Sequence, residues 1–251
     1  MSRNWKFSRE MQSGMYGRDI CRQRWQIAIV YVVFLSVIQA HSDCFVRTNL
    51  GPVKGSMKNS WNGKPFCSYR GIPYAEPPIG DLRFKAPRGP RPWSKTLDAL
   101  TDSPLCIQND LVVPVGSEDC LYLNVYTPEQ SSDSKSKHPV IVYIHGGKFS
   151  VGSGVSFISG PWYLMDRAIV LVTINYRLGV MGFLSTGDDE APGNYGMKDQ
   201  VAALRWVQQN IQEFGGDSER VTVQGQSAGS KSIHFHMFSA LSRGLFHGAI
   251  D

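Results

Sequence analysis

The sequence has no Asn-x-Ser/Thr sequon, no phosphate-cradling glycine loop, no zinc-type Cys/His spacing and no internal repeat. Those absences argue against N-glycosylation, nucleotide chemistry, a metal site and a repeat architecture, and no metal or other cofactor is expected. Charge of one sign is scarce beyond the front of the chain. The net charge is +5, yet residues 1–24 alone hold six basic and two acidic side chains, so the remainder is nearly neutral. Nucleic acid is therefore not expected as a partner. No span-length apolar run stands out either. Residues 27–38 are apolar and uncharged, and that run falls short of the roughly twenty residues a bilayer-crossing helix needs. Arg18, Arg22 and Arg24 precede it, and Ala40 and Ser42 follow. A charged flank, a short apolar core and a small-residue exit read as a secretory signal peptide over residues 1–42, with a long basic front. Export without a stable membrane anchor is expected. A signal anchor is the weaker alternative, and Met11 or Met15 is an alternative start.

Against that background one pentapeptide is prominent, Gly225-Gln226-Ser227-Ala228-Gly229. It follows the β-branched run Val221-Thr222-Val223 and fits G-x-S-x-G, in which a strand turns abruptly into a helix and presents its serine at the top of a sheet. Glycines are needed where side chains would collide. Ser227 is thus the expected nucleophile, and the plain alternative is a helix N-cap. A second strand-like run, Val140-Ile141-Val142-Tyr143-Ile144, leads into His145-Gly146-Gly147-Lys148-Phe149. A strand ending in His-Gly-Gly suits a loop whose bare backbone N–H groups hold an oxyanion, although an ordinary glycine turn has the same composition. Residues 169–174 and 220–223 read as central strands. Residues 196–214 read as a helix whose stripe Met197, Val201, Leu204, Val207 and Ile211 is core packing rather than a ligand groove, with Gly215-Gly216 as its stop. Residues 131–137 are polar and read as a surface loop.

Longer segments carry a family likeness. Gly71-Ile72-Pro73-Tyr74-Ala75-Glu76-Pro77-Pro78, Glu118-Asp119-Cys120-Leu121-Tyr122-Leu123-Asn124-Val125-Tyr126 and Gly193-Asn194-Tyr195-Gly196-Met197-Lys198-Asp199-Gln200 all resemble signatures of the type-B carboxylesterases and cholinesterases. The likeness covers about residues 45–250 and implies an α/β-hydrolase fold with a central mixed, mostly parallel sheet. It implies a secreted serine hydrolase acting on a small-molecule carboxylic ester. Residues 43–251 would be the N-terminal half of that domain, ending just past the helix that leaves the elbow. By resemblance the oxyanion donors are the amides of Gly147, Lys148 and Ala228, with Gly146 shaping the turn. The likeness also implies a disulfide between Cys106 and Cys120, and ion pairs of Arg83 with Glu118 and of Arg177 with Asp199. Whether Cys44 pairs with Cys67 is open, as is the oligomeric state.

Three departures matter. Gln226 stands where most relatives have Glu, a variant similar to insect juvenile hormone esterases and other insect esterases. Lys148 stands where relatives usually carry Gly or Ala, with an effect on either access or charge. The third concerns the acid and histidine that complete the triad, which this family supplies far downstream of the serine, whereas only 24 residues follow Ser227 and their sole acid is Asp251. His234 and His236 are expected to recede from Ser227 along a helix, and His145 to hold the oxyanion loop. The chain as written is therefore expected to be inactive and the whole enzyme active. A non-catalytic binding member of the same fold, or a truncated product, is the alternative. Cholinesterases carry a tryptophan in the loop that corresponds to 106–120, and none occurs here, which argues against a choline ester.

Overall fold

The computed structural model describes residues 44–110, 113–129 and 137–251. The expected signal segment and all but the last residue of the 131–137 stretch lie outside the described residues.

Seven strands make one mixed sheet: β1 (Ser56–Asn59), β2 (Pro65–Pro73), β3 (Tyr122–Pro128), β4 (His138–Ile144), β5 (Val170–Ile174), β6 (Gly216–Gly225) and β7 (Gly248–Ile250). Their spatial order is β7-β6-β4-β5-β3-β2-β1. The first three strands and β5 pair antiparallel, whereas β5 with β4, β4 with β6 and β6 with β7 pair parallel. The sheet is mixed as expected, and its described pairings divide evenly between the two senses. The halves differ in how they are connected. The early strands β1 and β2 adjoin through a short turn, while parallel neighbours need a crossover.

Burial follows the sequence pattern. All five residues of β5, Val-Leu-Val-Thr-Ile, are buried, as both faces of a central strand must be. β4 alternates toward its end, with Val140, Val142 and Ile144 fully inside and Ile141 and Tyr143 half-buried. Helix α1 (Gly179–Phe183) follows β5, α2 (Tyr195–Asn210) precedes β6, and α3 (Ala228–Phe238) follows it. The expected helix over 196–214 changes character at Asn210. That side chain bonds back to Trp206 O at 2.9 Å, and the next turn, Ile211–Phe214, tightens to a 3-10 helix before Gly215 stops it at φ 79°. After α3 the chain makes a further turn and adds β7, an element absent from the sequence reading.

Two disulfides fasten the front of the domain. Cys44–Cys67 ties the segment before the small strand Phe45–Arg47 to β2, and Cys106–Cys120 closes the loop ahead of β3. The first pairing resolves what the sequence left open. Among the described residues, no helix is long and apolar enough to cross a membrane.

Candidate active site

β4 and β6 are parallel neighbours, and their last residues, Ile144 and Gly225, lie opposite each other in the ladder. The His145–Phe149 turn and the Gly225–Gly229 elbow therefore leave the sheet at one level. Close packing then joins them. A Cβ on Gly225 would collide with the backbone carbon of Gly229, and one on Gly229 with Ile144 O, so the elbow accepts only glycine at either end. A Cβ on Gly146 would meet Gln226 Oε1, lie 2.5 Å from Gln226 O and 3.2 Å from Ser227 Cβ. The two loops are in contact at Gly146.

Ser227 has φ 57° and ψ −112°, outside the ordinary basins for a residue with a Cβ, a conformation costing about 1–3 kcal/mol. It precedes the first turn of α3, and its side chain is exposed with no hydrogen bond to a described residue. The other loop is bent in the same unusual sense, with Gly147 at φ 108°, Lys148 at 58° and Phe149 at 59°. Gly147 O accepts from the amides of Ser150 and Val151, both at 3.0 Å, and Phe149 O accepts from Gly179 N at 2.7 Å. The amides of Gly147, Lys148 and Ala228, the expected oxyanion donors, have no acceptor among the described residues.

His145 is locked beneath the turn. Its Nδ1 lies 2.8 Å from Gly146 O, which only accepts, so Nδ1 carries the proton. The ring stacks on Tyr176 at 4.4 Å, and Tyr176 Oη donates to His145 O at 2.9 Å. Burial lowers the His145 pKa to about 4, with the Gly146 bond opposing, so the ring is neutral near pH 7. Its Nε2 is buried without a partner among the described residues. His236 is also committed: its Nε2 meets Gln200 Oε1 and its Nδ1 meets Ser242 Oγ, both at 2.8 Å, and burial lowers its pKa to about 4. His234 Nδ1 lies 3.2 Å from Asp251 Oδ2, and His247 Nδ1 accepts from Val221 N at 3.3 Å. None of these histidines is hydrogen-bonded to Ser227.

The expected ion pairs are present. Arg83 Nε lies 2.6 Å from Glu118 Oε2, and the hydrogen bond holds the Glu118 carboxyl below its usual range. Arg177 grips the fully buried Asp199 through Nε at 2.8 Å, Nη2 at 2.7 Å and its backbone amide at 3.1 Å. Both pairs brace loops.

Two supporting residues escaped the sequence reading. Gln108 donates to Cys106 O and Gly152 O, both at 3.0 Å, and accepts from Gly152 N at 2.8 Å, so it links the Cys106–Cys120 loop to the segment that follows the His145–Phe149 turn. Asn175, just past β5, accepts from Ser153 Oγ and Gly154 N at 2.9 Å and donates to Pro104 O at 3.1 Å. Neither belongs to a pattern in the chain; each works across a distance in sequence.

Beside the turn lies a cleft of about 780 Å³, lined by Lys148, Phe149, Phe183, Met197, Lys198 and Phe235 among others. Met197 and Val201 face it, which corrects the expectation that their helical stripe is wholly core. From Leu204 onward the stripe joins the core cluster with the strands, where Leu204, Val207 and Ile211 are fully buried, whereas Met197 and Val201 stand outside that cluster and line the cleft.

Residues 42–251 match the family model described as the carboxylesterase family. The chain is 53% identical over 210 residues to the juvenile hormone esterase of Tribolium castaneum, covering 82% of this chain and 35% of that protein. It is 46% identical over 211 residues to esterase FE4 of Myzus persicae, covering 82% of this chain and 37% of that protein. Among solved structures it resembles the juvenile hormone esterase of Manduca sexta with OTFP covalently attached, at TM-score 0.78 and 41% identity, over 83% of this chain and 40% of that one. The chain thus spans well under half the length of these relatives. The shared architecture is the α/β-hydrolase fold.

Proposed function

This chain belongs to the carboxylesterase family, and from that premise we propose that the whole protein hydrolyses carboxylic esters through an acyl-enzyme on Ser227. Ser227 Oγ attacks the ester carbonyl, its proton passing to a histidine that the whole protein supplies from beyond residue 251. The C–O bond to the alcohol then breaks, the alcohol leaves with that proton, and water frees the acid from the serine. The amides of Gly147, Lys148 and Ala228 hold the oxyanion, whose charge exists only in the transition state. One observation carries this reading: a strained, exposed Ser227 stands in packing contact with a turn whose Gly147 and Lys148 amides have no acceptor among the described residues. A binding module has no use for that cost in backbone energy. Export belongs to the same proposal, with residues 1–42 as signal peptide and 43–251 as part of the esterase domain. The two disulfides suit an oxidising compartment.

The test is active-site labelling of the protein at the length of its relatives. A fluorophosphonate is expected to attach to the peptide holding Ser227, and Ser227→Ala to abolish both labelling and ester turnover. Turnover that survives Ser227→Ala, or a wild-type protein inert to probe and esters alike, overturns the reading.

A further inference from the structure

The side chain of Lys148 is unexplained by the proposed chemistry, which uses only its amide. It is exposed, it sits at φ 58° where a lysine is strained, and its ammonium meets no acceptor among the described residues. The same residue lines the cleft beside the oxyanion turn. Lys198 lines it too, with Nζ donating to Gly193 O at 3.1 Å and lying over the Tyr195 ring at 5.4 Å. No aspartate or glutamate is among the described lining residues. The side chain that abuts Gly146 from the elbow is Gln226, which carries no charge. His236, at the cleft wall, is neutral near pH 7. The described wall therefore combines apolar side chains with neutral polar ones and two lysines, and one of those lysines has no acceptor among the described residues.

We infer that Lys148 makes this site selective for esters that carry a carboxylate near the scissile carbonyl, such as the half-esters of short dicarboxylic acids. The inference rests on the esterase reading. The chemistry follows from one residue serving twice. Its backbone N–H meets the carbonyl oxygen, and its four-carbon stem ends in a compact cation, so an anion a few bonds from the carbonyl meets the ammonium while the ester sits in register. Apolar walls reduce the water that competes for the pair. Lys198, held by Gly193 O and the Tyr195 ring, adds field rather than contact.

The experiment compares kcat/KM for monomethyl glutarate and for methyl hexanoate, its neutral counterpart, by methanol release from the whole protein. Reading the ratio within each variant cancels any common loss from a disturbed turn. Wild type is expected to favour the half-ester. Lys148→Met is expected to lower the ratio about fivefold, the scale of one partly exposed charge pair, and Lys148→Arg to retain it. Raising salt on the wild type is expected to erode the preference as screening grows, which reads the charge without any substitution. A wild type that does not favour the half-ester, a Met variant with the wild-type ratio, or a preference indifferent to salt overturns the inference while leaving the esterase reading standing. Hydrolysis of neither ester, together with no labelling at Ser227, sinks that reading itself.

Discussion

At the scale of single residues the protein holds two imidazoles where protonation is costly. His145 lies under the His145–Phe149 turn and His236 on the buried side of α3, each neutral because burial lowers its pKa from an ordinary 6.5 to about 4. The unfolded chain takes up those protons as pH falls through 6.5, and the folded protein does so only near 4. Stability is therefore full above about pH 6.5 and falls between there and 4, by about 1.4 kcal/mol for each unit a site's pKa is held down. Urea unfolding of the whole protein at stepped pH is expected to show this acid limb, and His236→Gln to flatten it; an unchanged slope in the variant would rule His236 out as a source. How much of this was legible in the sequence depends on the residue. Ser227 and the Gly146-Gly147 pair were readable, because a sharp turn leaves its mark as glycines within a few positions. Gln108 and Asn175 were not readable, since the partners that anchor them to other segments, Gly152 for the one and Pro104, Ser153 and Gly154 for the other, lie far along the chain and a polar side chain in a loop gives no local sign of where it will be anchored.

At the scale of elements, α2 is pinned by a charge inside the protein. Full burial pushes the Asp199 carboxyl above its usual range, while hydrogen bonds from Arg177 pull it back. Removing the arginine leaves that group without its partner. Arg177→Met is expected to destabilise by about 3–5 kcal/mol, and pairing it with Asp199→Leu to recover most of the loss, both read from denaturant midpoints. A single variant costing less than about 1 kcal/mol would mean that water reaches Asp199. The helix itself was legible from its period, including the Gly215 stop. Its division was not. Where the helix tightens depends on Asn210 bonding back to Trp206, and where its stripe leaves the core depends on what packs against each turn of it. Neither is encoded in spacing alone.

At the scale of the whole molecule, the disulfides join segments 23 and 14 residues apart. Chain-entropy arguments give about 3 kcal/mol for loops of that size. The double substitution Cys44→Ser/Cys67→Ser is expected to lower unfolding stability by about that amount and leave ester specificity alone; a change in specificity would place the first bridge in contact with the site. The sheet meanwhile imposes a rule on where this protein tolerates change in length. Because Ile144 and Gly225 end adjacent strands opposite each other, the height of the serine relative to the oxyanion turn is measured by the hydrogen-bond ladder and not by the loops that lead into it. Additions to the connections entering β4 and β6 leave that height untouched. A single residue added within the evenly paired stretches Val140–Ile144 or Val221–Gly225, by contrast, slips the ladder and parts Ser227 from the amides proposed to work with it, whereas the bulge between Gly216 and Val221 already takes up extra chain; for this site the paired stretches serve as a ruler and what leads into them as slack.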